Sequence, residues 1–322
     1  MESMYARYTY PVPLISSSCV HVYECDMPTK NSTDILETLT HVHTIHFYYS
    51  GKEKKSIRVP KGCTRFEVHT TSDAVLPCPP IDVENSSVQT LVFDQCVLSQ
   101  QSLPPIKTLL LRSCSDLQHP MRAETLYLES CTDPPLAQLT ADKHLFLYQI
   151  TFTAPDTLIE TAANVRMVQC KGHVTLQCGP ILALREVFAD PVIRSPIESL
   201  AILFCDSIFP SASRVLERFI QARTIYYASR TQQNIICGQG GKNLQALVLQ
   251  GFGVARCLMN CPSLQTLVLY DAAIEHMRVD PAQIYIYGTN ANVPDKIPRK
   301  AFVSTAQWAQ IDPGLNVLLE EW

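Results

Sequence analysis

Apolar and polar positions along the chain repeat a nine-residue pattern. It reads apolar, two variable, apolar, one variable, apolar, two variable, then cysteine. "VQTLVFDQC" (88–96), "IKTLLLRSC" (106–114), "AETLYLESC" (123–131) and "IESLAILFC" (197–205) fit it fully. "LQALVLQGF" (244–252) and "LQTLVLYDA" (264–272) keep the three apolar positions and lose the cysteine. Weaker copies at 17–25, 42–50, 63–71, 142–150, 165–173, 222–230 and 281–289 bring the count to about thirteen units between residues 17 and 290. Alternation with a period of two is that of a short β-strand, not of a helix.

Spacing predicts what connects the strands. Leu91, Leu109 and Leu126 lie 18 and 17 residues apart. After a strand and its turns that interval leaves no room for a two-turn helix, so these returns are expected to be extended, with Pro104, Pro105, Pro134 and Pro135 in them. Wider gaps predict helices over "STDILETLT" (32–40), "PDTLIETAAN" (155–164) and "SASRVLERFIQA" (211–222), the first and last opening on Ser or Thr as a cap. "LREVFADPV" (184–192) stands too close to Leu200 to be given a unit of its own. Residues 1–16, with Tyr5, Tyr8, Pro11 and Pro13, read as an extended N-terminal segment, and 291–322 as a C-terminal cap or tail. An open solenoid exposes its core at each end and needs such caps.

The pattern resembles the leucine-rich repeat family, whose core is LxxLxLxxN/C. The resemblance rests on Leu109 and Leu111, Leu126 and Leu128, Leu247 and Leu249, Leu267 and Leu269, and on ninth-position Cys25, Cys96, Cys114, Cys131 and Cys205. It implies a β-dominated α/β solenoid, a parallel sheet on one face and irregular or short helical returns on the other. The chain departs from the family in its uneven unit spacing and in having no asparagine at position nine of these units.

Side chains alternate across a strand, so positions four and six of each unit point to the core and three, five and seven to the open face. The ninth residue turns inward, where a thiol packs as a small apolar group and can donate to a backbone carbonyl. A solvent-facing row should be polar. Here it includes Val92, Leu110, Tyr127, Phe146, Tyr148, Tyr226, Tyr270, Tyr285 and Tyr287. Apolar patches and tyrosines mark interaction surfaces, and these nine residues are the predicted partner-binding positions. The competing expectation is that a terminal segment folds over the sheet and covers them.

Composition narrows the function classes. The chain of 322 residues is 46% hydrophobic and 17% charged, enough for a continuous core. Net charge is −4, with no basic face for a nucleic acid. No apolar run reaches the ~20 residues of a membrane helix, and the N-terminus lacks a signal-peptide pattern, so an intracellular, cytoplasmic location is expected. Thirteen cysteines without a framework spacing read as reduced thiols. No CxxC is present. "HVHTIH" (41–46) places His43 and His46 on opposite faces of one strand, so those histidines alone build no metal site. "GQGGKN" (238–243) lacks phosphate-loop spacing, and nothing near Cys178 or Cys237 in sequence would activate a thiol. No catalytic residue, cofactor or metal is predicted. The expected function is non-catalytic binding of a protein partner, as a scaffold, adaptor or complex subunit. The alternative is a substrate-targeting module of, or a cysteine-dependent enzyme in, a protein-modification pathway.

Overall fold

The frames from 88–96 to 197–205 end in a turn that their own backbone enforces. In seven successive frames the eighth residue is left-handed: Gln95, Ser113, Ser130, Gln149, Gln169, Glu186 and Phe204 have φ between 49° and 58°. That conformation swings the ninth residue inward. It also aims the eighth N–H at the next strand, so Ser113 N donates to Glu129 O at 2.8 Å and Glu186 N to Leu203 O at 2.9 Å. The parallel ladder therefore continues one residue past the strand.

The computed structural model describes residues 4–5, 18–23, 36, 38–51, 56–71, 75–155, 157–210, 212–230, 241–251, 254–255, 261–270, 273–274, 283–287 and 312–319. It is β-dominated, a parallel-sheet solenoid with few helices, as the repeat predicts. The chain divides into two compact units, Met1–Thr153 and Ala154–Trp322.

In the first unit the face strands are Met4–Tyr5, Cys19–Tyr23, Thr44–Tyr49, Arg65–Thr70, Thr90–Asp94, Ile106–Arg112, Met121–Glu129 and Leu139–Tyr148. Each pairs in parallel with the next in sequence. The register stacks equivalent positions, so Leu91, Leu109, Leu126 and Leu145 form one inward row and Phe93, Leu111, Leu128 and Leu147 the next. All eight are at most 4% exposed. Among the described residues between Thr90 and Tyr148 the returns are extended, as the short spacing requires, apart from a 3-10 turn at Leu136–Gln138. Buried Gln101 fastens one of them: its Nε2 donates to Pro79 O at 2.7 Å and its Oε1 accepts from Ile81 N at 3.1 Å.

In the second unit the face strands are Asn164–Val168, Ile181–Arg185, Ser199–Leu203, Thr224–Ala228, Ala246–Gln250, Thr266–Tyr270 and Gln283–Tyr287, again paired in parallel in chain order. Two frame readings change here. Val165 pairs with Leu182, which pairs with Leu200. The unit read as 165–173 therefore begins at 162, with Val165 and Met167 inward and Cys170 ninth. The unassigned stretch hides a complete unit, 179–187, in which Leu182 and Leu184 are inward.

One predicted helix, 155–164, is instead extended: Thr157–Glu160 pairs with Val174–Gln177, which pairs with Val192–Ile193, in a second sheet. Leu158 is 47% exposed and Ile159 2%, the alternation of a strand, so its apolar pattern serves one face only. The predicted helix at 211–222 is present as Ala212–Arg218, with Val215 and Leu216 buried. Of the third, at 32–40, only Leu36 and residues 38–40 lie within the described residues; Leu36 is helical and buried.

The tail is described only at Asp312–Leu319, where Pro313–Leu319 is helical. This helix lies on the open face, not at an end. Ser199, at an outward third position, donates through Oγ to Asp312 Oδ2 at 2.5 Å. A Cβ on Gly314 would stand 2.6 Å from Cδ1 of Ile181, another third position. Leu315 and Leu318 are fully buried, and the outward residues of the two strands beneath include Ala183 and Ala201, small enough to seat a helix. A terminal segment therefore does fold over part of the sheet, but the positions it meets, Ile181, Ala183, Ser199 and Ala201, are none of the nine predicted partner-binding residues.

Candidate functional site

The open face of the first unit is built by frame positions five and seven on seven adjacent strands. Because the register is continuous, position seven runs Tyr23, Tyr48, His69, Asp94, Arg112, Glu129, Tyr148. Neighbours in this row are linked from Tyr23 to Glu129. Tyr23 and Tyr48 stack with centroids 4.5 Å apart, and Tyr48 lies 5.2 Å from the His69 ring. His69 Nδ1 is 3.3 Å from Asp94 Oδ2, which is 3.7 Å from Arg112 Nη1, and Arg112 Nε donates to Glu129 Oε2 at 2.9 Å. Position five runs His21, His46, Glu67, Val92, Leu110, Tyr127, Phe146.

The two rows meet at Glu67. Its Oε2 is 2.9 Å from His46 Nδ1 and 3.0 Å from His69 Nε2, and its Oε1 accepts from Arg65 Nε at 2.5 Å. Burial alone would push this carboxyl up. The hydrogen bonds from His69 and Arg65 and the neighbouring His46 override it and hold it at about 2. His69 is also pulled both ways: burial lowers it, but bonding to Glu67 and Asp94 leaves it above its ordinary value. His46 ends below its ordinary value, because burial outweighs the attraction of Glu67. The His21 ring stacks on that of His46 at 4.5 Å with 9° between planes. His41 and His43 are exposed and take no part in this cluster.

The predicted partner-binding residues divide by exposure. Val92 and Phe146 are 3% and 2% exposed, so the apolar stripe is open only in part. Leu110, Tyr127, Tyr148, Tyr226, Tyr270 and Tyr285 are half-buried, and the side chain of Tyr287 lies outside the described residues. Tyr127 stacks on Phe146 at 4.5 Å with 6° between planes. Tyr226 donates to Gln250, and burial with nearby Tyr270 raises its hydroxyl to about 12. Val248 and Val268, on the same face, are closed off. What sequence reading missed is the polar half of the face. His21, His46, Glu67, His69, Asp94, Arg112 and Glu129 are visible in the sequence as fifth- and seventh-position residues, but nothing local to each strand marks them as neighbours.

The ninth-position thiols are occupied structurally. Cys96, Cys114, Cys131, Cys170 and Cys205 each lie 3.3–3.5 Å from the carbonyl of the residue two before them, and Cys114 also reaches Phe93 O at 3.3 Å. Burial pushes the thiols of Cys131, Cys178 and Cys205 up to about 11. None of these is primed as a nucleophile, since the thiolate is the reactive form.

Among the described residues no helix is long and apolar enough to cross a membrane. Comparison of the chain with protein families, curated proteins and solved structures found no match.

Proposed function

We propose that this chain is a non-catalytic protein-interaction module, an intracellular scaffold, adaptor or subunit of a larger assembly, of the leucine-rich-repeat kind its sequence resembles. Its contact surface is the open face of the first unit. The observation that carries this reading is the linked row Tyr23, Tyr48, His69, Asp94, Arg112 and Glu129, flanked by half-buried Leu110, Tyr127 and Tyr148. Side chains held by their neighbours lose little further freedom on binding, and aromatic and arginine residues supply most hot spots. The protein partner would meet a rigid strip of tyrosine rings and alternating charges instead of a purely apolar stripe.

The test is co-purification with the full chain and with a Tyr127→Asp, Tyr148→Asp variant whose circular dichroism matches the parent. A protein retained by the parent and lost from the variant supports the reading. Equal retention by both overturns it.

A further inference from the structure

We propose that His46, Glu67 and His69 form a binding site for a borderline first-row divalent cation such as Zn2+, with two imidazole nitrogens and one carboxylate oxygen as ligands. The site shares His69 and Asp94 with the proposed contact face but does not depend on protein binding there. The potential ligand atoms of the three residues all lie within 4.8 Å of one another. Glu67 Oε2 is 2.9 Å from His46 Nδ1 and 3.0 Å from His69 Nε2. Ligand atoms bonded to tetrahedral zinc at ~2.0–2.1 Å stand ~3.3 Å apart, so each histidine–Glu67 distance needs to open by only a few tenths of an ångström to admit the ion.

The donor set selects the metal. Two imidazoles and a carboxylate suit zinc and its neighbours, whereas calcium and magnesium prefer all-oxygen shells. The cluster also has the supporting bonds that a built site needs. Asp94 Oδ2 lies 3.3 Å from His69 Nδ1, which fixes the tautomer that presents Nε2 to the ion, the carboxylate–histidine arrangement common behind metal ligands. Arg65 Nε holds Glu67 Oε1 at 2.5 Å, leaving Oε2 for the site. The His21 ring, stacked at 4.5 Å, limits rotation of His46. Glu67 is buried while both histidines are half-buried, so the ion has a path from solvent. Three ligands leave a fourth position for water.

No single strand carries this set. His46 pairs with Glu67 across two strands, and His69 lies two residues beyond Glu67 on the same face. A repeat whose register aligns fifth and seventh positions brings them together.

Titration of the full-length chain with Co2+ tests the site. The expected result is one equivalent bound, with the visible bands of a four- or five-coordinate ion, displaced by Zn2+. His69→Asn or Glu67→Gln should lower affinity by about 100-fold or more, and Asp94→Asn by about 10- to 100-fold. A strong thiolate-to-cobalt charge-transfer band would place the ion on cysteine and overturn the assignment. So would absence of saturable binding, or unchanged affinity in both ligand variants. The unsubstituted chain gives a check that no folding defect can confuse. Zn2+ should slow diethyl pyrocarbonate modification of His46 and His69 but not of exposed His41 and His43. Equal modification with and without Zn2+ overturns the proposal.

Discussion

The thiol of Cys114 lies 3.3 Å from the carbonyl oxygen of Arg112 on its own strand and 3.3 Å from that of Phe93 on the strand before. It works as a clip between adjacent turns, and Cys131 repeats the arrangement with Glu129 and Leu111.

Protonated thiols are therefore part of the fold, and alkaline pH should loosen it. Cys63, Cys131, Cys178 and Cys205 are raised by burial from 9.0 to about 11. A folded-state value above the unfolded one means that the folded chain holds the proton longer. The stability is intact below pH 9 and is lost as pH rises from 9 through 11. A separation of that size corresponds to roughly 3 kcal/mol per thiol at full ionisation. Denaturant unfolding at pH 7, 8 and 10.5 should show the midpoint nearly constant over the first step and falling over the second. Mass-spectrometric mapping of alkylation at pH 7 should find Cys96, Cys131, Cys170 and Cys205 modified only in denaturant.

Phe146 should behave unlike Tyr127 although the two rings stack. At 2% exposure, Phe146→Ala leaves a cavity and should cost about 3–5 kcal/mol in urea unfolding. Tyr127→Ala, at a half-buried site, should cost under half of that while removing contact surface. Equal losses would mean that Tyr127 is a core residue.

This division marks what the sequence could and could not reveal. Period-two alternation identified the strands and their inward rows because burying alternate residues is a local rule, obeyed by Leu109 and Leu111 as by Leu267 and Leu269. It failed where that rule is ambiguous. In "NVRMV" the fourth-position role falls to Val165, but Val168 is also buried and offered an equally apolar alternative three residues on. Unit 179–187 was not assigned because the stretch read there, 184–192, stands too close to Leu200, and the true unit has Val187 in place of a ninth-position cysteine. The meeting of His46, Glu67 and His69 was not legible for a different reason. It depends on pairing between residues 21 positions apart, which requires every intervening return to be placed in register.

Ser113 holds φ at 50°, a left-handed conformation that costs a non-glycine residue roughly 1 kcal/mol. Ser113→Gly should raise stability by up to about 1 kcal/mol, whereas Ser113→Val should lower it by about 1–2 kcal/mol, since a branched Cβ is least tolerant there. Thermal melts of both variants beside the parent decide this. A stabilising valine would show that the turn relaxes out of the left-handed region.

Leu315 and Leu318 hold the tail helix on the open face of the second unit. Leu315→Ala with Leu318→Ala should release it and expose the apolar seat around Ala183 and Ala201. Increased binding of a hydrophobic dye, with far-UV circular dichroism nearly unchanged, is the expected signature. Dye binding equal to the parent would mean that the helix is held by other contacts.

The left-handed eighth residue makes the spacing between neighbouring strands independent of what lies between them. Each of these seven frames resets its own phase, so the return behind it can be a proline-rich loop after Cys96 or a helix after Cys205 without shifting the face in front. Length change is thereby confined to the back. A block such as residues 106–122 becomes an exchangeable cassette: removing it would bring Thr125 into register with Thr90 and shorten the face by one strand, with every remaining side chain still addressed to its row.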